Sequence, residues 1–255
     1  MIALVAVTLV VCAPGYPGNT AEARPAMDAF AKALVEAGQL SPGSLSAVYE
    51  ETAEGCLQRL ARPDVALVLT PLPFFLDREK ALRLVGRLSA VPRGRDALER
   101  WTLVAGKDRP ASLDGYTVLS SAGYSQRFVR AAAPGQPRDI QIRPLTAVLS
   151  ALRRAAGGEK VAVLLDGEQG AARGNLPFSS SLAVISTSPP MPVAVLATIA
   201  KRIDANRWKA LEPAFSRVGE NPAAREALEG VRLSGFVPLD EAVLAAARTA
   251  YRKAQ

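Results

Sequence analysis

The sequence predicts an α/β protein built of two similar blocks, each a mainly parallel sheet flanked by helices. Three observations carry this. Short runs dominated by Ile, Val and Leu, such as "IALVAVTLVV" and "DVALVLT", end in Gly- or Pro-rich turns, the mark of strands buried on both faces. Between them stand segments with apolar residues at helical spacing. That strand and helix alternation occurs twice, and a βαβ order requires parallel strands joined by right-handed crossovers.

In the first block, residues 2–11 form a strand running into the turn "CAPGYPGNTAE". Met27, Phe30, Ala31, Leu34 and Val35 repeat at helical spacing, and Gly38 stops that helix. Residues 44–49 are a strand, 50–61 a helix and 64–70 an apolar strand. "PLPFFLDREKAL" reads as a turn and short helix, then "RLVGRLSAVP" and "RWTLVAGKDRP" as strands. In the second block, residues 115–121 are a strand, "YSQRFVRAAA" a helix, "DIQIRP" a strand, "TAVLSALRRA" a helix and 160–166 a strand. The remainder holds two strand-like runs around "SPPMP", then helices in "ANRWKALEPAF", "PAAREALEG" and "DEAVLAAARTAYRKA". Pro213 is expected to end or kink the first of these.

Composition narrows the chemistry. The 255 residues are 49% hydrophobic and 22% charged, too apolar for a disordered chain. There is no histidine, which removes Ser-His-Asp and Cys-His hydrolases and most zinc enzymes. No metal and no cofactor is expected. The net charge of +7 and isoelectric point near 9.7 come from scattered Lys and Arg. With aromatics at 5% and no dense basic run, a nucleic-acid partner is not expected. No segment approaches the ~20 apolar residues of a membrane span. Residues 2–11 have no preceding Lys or Arg, so they read as a strand, with an export signal absent or trimmed.

Several stretches point to a family: "ERWTLVAGKDRPASLDGYTVLSSAGYSQRFV", "LAVISTSPPMPVAVL" and "NPAAREALEGVRLSGFVPLDEAVL". With the order of elements, they resemble the periplasmic substrate-binding proteins of ABC transporters, in their phosphate/phosphonate-binding branch. The resemblance spans nearly the whole chain and implies the two-lobed type 2 periplasmic-binding fold, with a ligand in the cleft between lobes. It implies lobe 1 from residues 1–103 and 190–255, lobe 2 from 104–189, and hinge crossings near 100–107 and 189–192. It also implies a monomeric, periplasmic, non-catalytic protein whose partners are a small ligand and a transporter permease. A sensor reporting to a signalling partner is the alternative, whose support is Phe74 and Phe75 if they form an exposed patch rather than core, the commoner place for such a pair; an enzyme using Asp166 and Glu168 is a third.

In open parallel sheets, ligands bind beyond the carboxyl ends of the strands. Those ends are "CAPGYPGNT", "LTPLPF", "LSSAGYSQ" and "LLDGEQG". The candidate ligand residues are therefore Tyr16, Asn19, Thr20, Thr70, Ser120, Ser121, Tyr124, Ser125, Asp166 and Gln169. Ser120, Ser121 and Ser125 surround a helix start, whose free N–H groups favour an anion, or else they cap it. Asp166 and Glu168 repel a phosphate but suit the amine of a zwitterion, or lie in a solvated loop. Arg127 and Arg173 neutralise an anion or face water. The family's hydroxyl cluster carries a threonine that "SSAGYSQ" lacks, which leaves the ligand open. Cys12 and Cys56 pair as a disulfide in an oxidising periplasm or are two buried free thiols; a nucleophilic Cys12 is the third reading, disfavoured because no histidine is present to act as its base.

Overall fold

The computed structural model describes residues 6–16, 18–137 and 139–254. The chain divides into two compact units, Met1–Ala97 with Pro192–Glu241 and Leu98–Met191 with Ala242–Gln255.

The first unit opens with β1 (Val7–Cys12), α1 (Arg24–Ala37), β2 (Leu45–Glu50), α2 (Ala53–Leu60), β3 (Val65–Pro71), α3 (Leu72–Leu82) and β4 (Leu84–Pro92). Residues 2–5 of the expected first strand lie outside the described residues. Pro25 sits in the first turn of α1, where its missing N–H costs no helix bond, and Gly38 closes the helix as expected. Thr52 starts α2 by accepting a hydrogen bond from the backbone N–H of Gly55.

The unit is completed from far along the chain by β12 (Ala194–Ile199), α7 (Ala205–Val218), α8 (Arg225–Gly230) and β13 (Leu233–Pro238). The sheet order is β13-β4-β12-β3-β1-β2. β1 runs parallel to β2 and β3, whereas β12 is antiparallel to both β3 and β4, and β13 to β4. The sheet is therefore mixed: a parallel trio extended by antiparallel strands. β13 falls where only helices were expected. Gly235 admits its kink, with φ of 154° beside an irregularity in the pairing.

One face of this sheet is covered by α1, α7 and α8, with Met27, Phe30, Leu34, Trp208, Leu211 and Phe215 packed on Leu9, Leu67, Leu88, Leu196 and Phe236. Fully burying one such side chain contributes about 1.5–3 kcal/mol. Pro213 lies inside α7, which continues to Val218. The helix forfeits one backbone bond there, and burial of Leu211, Ala214, Phe215 and Val218 around the proline offsets it. Phe74 and Phe75 of α3 are fully buried, so they form no exposed patch.

The second unit contains β6 (Thr102–Gly106), β7 (Thr117–Ser120), α4 (Gln126–Ala132), β8 (Gln141–Pro144), α5 (Val148–Ala156), β9 (Val161–Leu165), α6 (Gly167–Ala172) and β10 (Leu182–Thr187). Two short strands, β5 (Leu98–Glu99) and β11 (Met191–Pro192), pair with each other where the chain crosses between units. The sheet order is β10-β6-β9-β7-β8. β7 is parallel to β8 and β9, and β6 and β10 add antiparallel strands. The second unit thus repeats the first unit's plan, a central leading strand with its two parallel successors on opposite sides.

The last helix, α9 (Glu241–Lys253), belongs to the second unit rather than the first. Its end explains why: Arg127 of α4 donates to the carbonyl oxygens of Tyr251 and Arg252 at 2.7 Å each. The same guanidinium lies 4.8 Å from the Tyr251 ring centre. Arg127 is thereby spent on closing a helix end, and it is not a spare cation for a bound anion.

Candidate functional site

In each unit the order of parallel strands reverses at the first strand, β1 in one and β7 in the other. The carboxyl end of such a strand is where an α/β sheet leaves a crevice for a ligand. The candidate residues therefore fall into two sets, one per unit.

In the first unit, Gly15 turns the chain after β1 with φ of 84°. The Tyr16 N–H donates to the Ala13 carbonyl at 3.1 Å, and the Tyr16 ring is half-buried. Pro17 of the expected turn lies outside the described residues. The Asn19 carboxamide oxygen accepts from the N–H groups of Ala21 and Glu22, so this exposed side chain closes its own turn. The Thr20 N–H donates to a Glu51 carboxylate oxygen at 3.2 Å.

Tyr49, at the end of β2, is a residue the sequence reading passed over. A methyl group on Gly18 would clash with the Tyr49 hydroxyl, so glycine is what lets the loop lie against that ring. Burial, then the Glu51 carboxylate, push the Tyr49 phenol above its ordinary value. Thr70, the penultimate residue of β3, is 1% exposed. Its hydroxyl has no hydrogen-bond partner among the described residues.

In the second unit the serine cluster separates into different roles. The Ser120 hydroxyl donates to the Leu164 carbonyl at 3.1 Å and accepts from the Ala122 N–H at 3.2 Å, tying β7 to β9. Ser125 is the N-cap of α4, accepting from the Phe128 N–H. Capping is thus the structural duty of that residue. Ser121 is 4% exposed, and its hydroxyl has no hydrogen-bond partner among the described residues. Tyr124 is half-buried beside it in sequence. Gly123 allows this turn to press on the end of β8, since a Cβ there would stand 2.4 Å from the Arg143 carbonyl oxygen.

Asp166 and Gln169 are neither in a solvated loop nor extended into open space. They close a capping box on α6: Asp166 accepts from the Gln169 N–H at 2.9 Å, and Gln169 accepts from the Asp166 N–H at 3.3 Å. Asp166 is 3% exposed, and Glu168 is exposed. Glu99, which was not among the predicted site residues, joins them: its carboxylate accepts from the Gly167 N–H at 2.9 Å, and it is buried. The signal was an acid two residues before the buried Trp101, at the entry to the strand-like "WTLVAG" run. Two buried carboxylates, Glu99 and Asp166, thus take up N–H groups at the start of α6.

Among the described residues, no group of three or more His, Cys, Asp or Glu could hold a metal ion. No helix among them is long and apolar enough to cross a membrane.

No protein-family profile matches the sequence, and no curated protein aligns with it significantly. Solved structures do match. XAC2383 from Xanthomonas citri, bound to ATP, is 14% identical over 98% of each chain, with a TM-score of 0.72. A binding-protein component of an ABC phosphonate transporter from Pseudomonas aeruginosa is 15% identical over 96% of this chain and 85% of its own, with a TM-score of 0.64. PhnD1 from Prochlorococcus marinus, in complex with methylphosphonate, is 13% identical over 97% of each chain, with a TM-score of 0.62. At these identities the likeness is one of fold: the chain has the two-lobed α/β fold of periplasmic binding proteins, with mixed sheets.

Proposed function

We propose that this chain is a solute-binding protein that captures a small anionic or zwitterionic ligand of the phosphonate or phosphate type. In this reading it is exported to the periplasm, works as a monomer without a cofactor or catalysis, and hands its ligand to an ABC-transporter permease. The observation that carries it is the Ser121 hydroxyl, buried without a partner at the carboxyl end of the strand where the second sheet reverses order. Native folds pair their buried hydroxyls, so one left open at that position is a donor held for a ligand oxygen. Thr70 has the same property in the first unit.

On this reading Ser121 and Tyr124 are the ligand residues of the second unit, and Thr70 and Tyr16 are their counterparts in the first. Asn19, Thr20, Ser120, Ser125, Asp166 and Gln169 hold the turns that present them. The net charge of +7 favours an anion. The neighbours of this fold bound to ATP and to methylphosphonate both hold phosphorus oxyanions. The sensor reading loses its patch with the burial of Phe74 and Phe75.

The test is a thermal-shift and calorimetry screen of phosphate, methylphosphonate, aminophosphonates, sulfonates and amino acids, with native mass spectrometry of the protein as purified. A ligand at a hundred times its Kd adds about 2.7 kcal/mol of stability. A shift with an oxyanion supports the proposal. No shift with any of them, or chemical conversion of a bound compound, overturns it.

A further inference from the structure

Cys12 closes β1 and Cys56 lies in the first turn of α2. Both are free thiols and both are buried. Two independent features bring them together. In the parallel pairing of β1 with β2, Cys12 stands opposite Glu50, and the Ala13 N–H that follows it donates to the Glu50 carbonyl at 2.9 Å. The Cys56 thiol donates to that same carbonyl at 3.7 Å. Each cysteine thus sits against the Glu50 backbone, and the two are close enough for Cys56 to raise the Cys12 thiol.

We propose that Cys12 and Cys56 form a dithiol that closes to an intramolecular disulfide, fastening α2 to the end of β1 where the turn bearing Tyr16, Asn19 and Thr20 begins. The oxidant is a small-molecule or protein disulfide of the compartment. One cysteine, as its thiolate, attacks that disulfide, forming a mixed disulfide and expelling the first thiolate. The second cysteine then attacks the protein-bound sulfur and expels the other thiolate. The two protein thiol protons end on the two released thiols, so one disulfide is reduced as one forms.

Burial, then the neighbouring Cys56 thiol and the Glu50 carboxylate, hold the Cys12 thiol far above its ordinary value. Exchange therefore belongs to folding, or to openings of α2, and the native dithiol is inert to external reagents. The pairing concerns the first unit alone and uses no ligand, so its test stands apart from that of the binding function.

The full chain is denatured and reduced, then refolded in a buffer of oxidised and reduced glutathione, quenched with iodoacetamide under denaturing conditions and mapped by mass spectrometry without reductant. The expected result is a monomer lighter by two hydrogens, with a peptide joining Cys12 to Cys56 and no alkylated cysteine. Its melting temperature falls on adding dithiothreitol. The double variant C12A/C56A shows no such fall. Two alkylated cysteines at equilibrium, a bridge formed only between chains, or a dithiothreitol effect that persists in the double variant overturns the proposal.

Discussion

Replacing Ser121 by alanine separates a ligand-binding hydroxyl from a structural one, because the two have opposite consequences for the empty protein. A hydroxyl buried without a partner costs about 1–3 kcal/mol of desolvation that folding never recovers. Ser121 is in that position, so Ser121→Ala is expected to leave the unliganded protein as stable as before, or more stable by about 1 kcal/mol. Ser120→Ala is the counterpart. Its hydroxyl makes hydrogen bonds of 3.1 and 3.2 Å, and losing both costs about 1–3 kcal/mol. The order inverts for binding. A hydrogen bond to a charged oxyanion is worth about 1.5–3 kcal/mol, so Ser121→Ala weakens binding by about 10- to 150-fold. Urea melts of the empty variants, paired with calorimetric titration of the ligand found by screening, read both quantities. Ser121→Ala that destabilises the empty protein by more than about 1 kcal/mol, or binds unchanged, refutes the reasoning.

Two further outcomes follow from the same geometry. Asp166→Ala breaks the capping box of α6 and is expected to cost about 1 kcal/mol, seen as a lower urea midpoint. The loss is expected in stability rather than affinity, because Asp166 serves the helix. The phenol of Tyr49 is raised in the folded protein, chiefly by burial. Above the ordinary phenol value of 10.0 the unfolded chain sheds this proton while the folded chain retains it, so stability falls as pH rises through that range. Alkaline melts of the protein against Tyr49→Phe check this, and the variant's curve is expected to be flatter.

β3 and β9 were legible because they are buried on both faces and read as nearly unbroken Val, Leu and Ala runs, and β1 follows the same pattern. The antiparallel strands were less so. β13 is six residues including a glycine and a proline, and its pairing with β4 is a tertiary fact that no local pattern announces. Pro213 misled for the opposite reason: local propensity argued for a break, and burial of the helix face around it prevailed. The start of α6 was legible and overlooked, since Asp166-Gly-Glu-Gln169 has the spacing of a capping box. In the candidate site, residue types at strand ends located the right turns but not the roles within them. Ser120, Ser121 and Ser125 look alike in sequence. Only the neighbours, the Leu164 carbonyl for one and the Phe128 N–H for another, tell them apart. Arg127 is similar, because its partners on α9 lie more than a hundred residues away.

The slot occupied by β12 bears on how the chain is made. β3 and β4 are consecutive along the chain, yet β12 separates them in the sheet, and β12 begins only at Ala194. Until that segment emerges from the ribosome, the first unit has two apolar strands with unsatisfied edges and an empty place between them, a template for wrong pairing. A nascent chain of this protein therefore has reason to remain unfolded, or to be held by a chaperone, until most of its length has been synthesised. A sheet that cannot be finished early thus writes a delay in folding into the strand order itself.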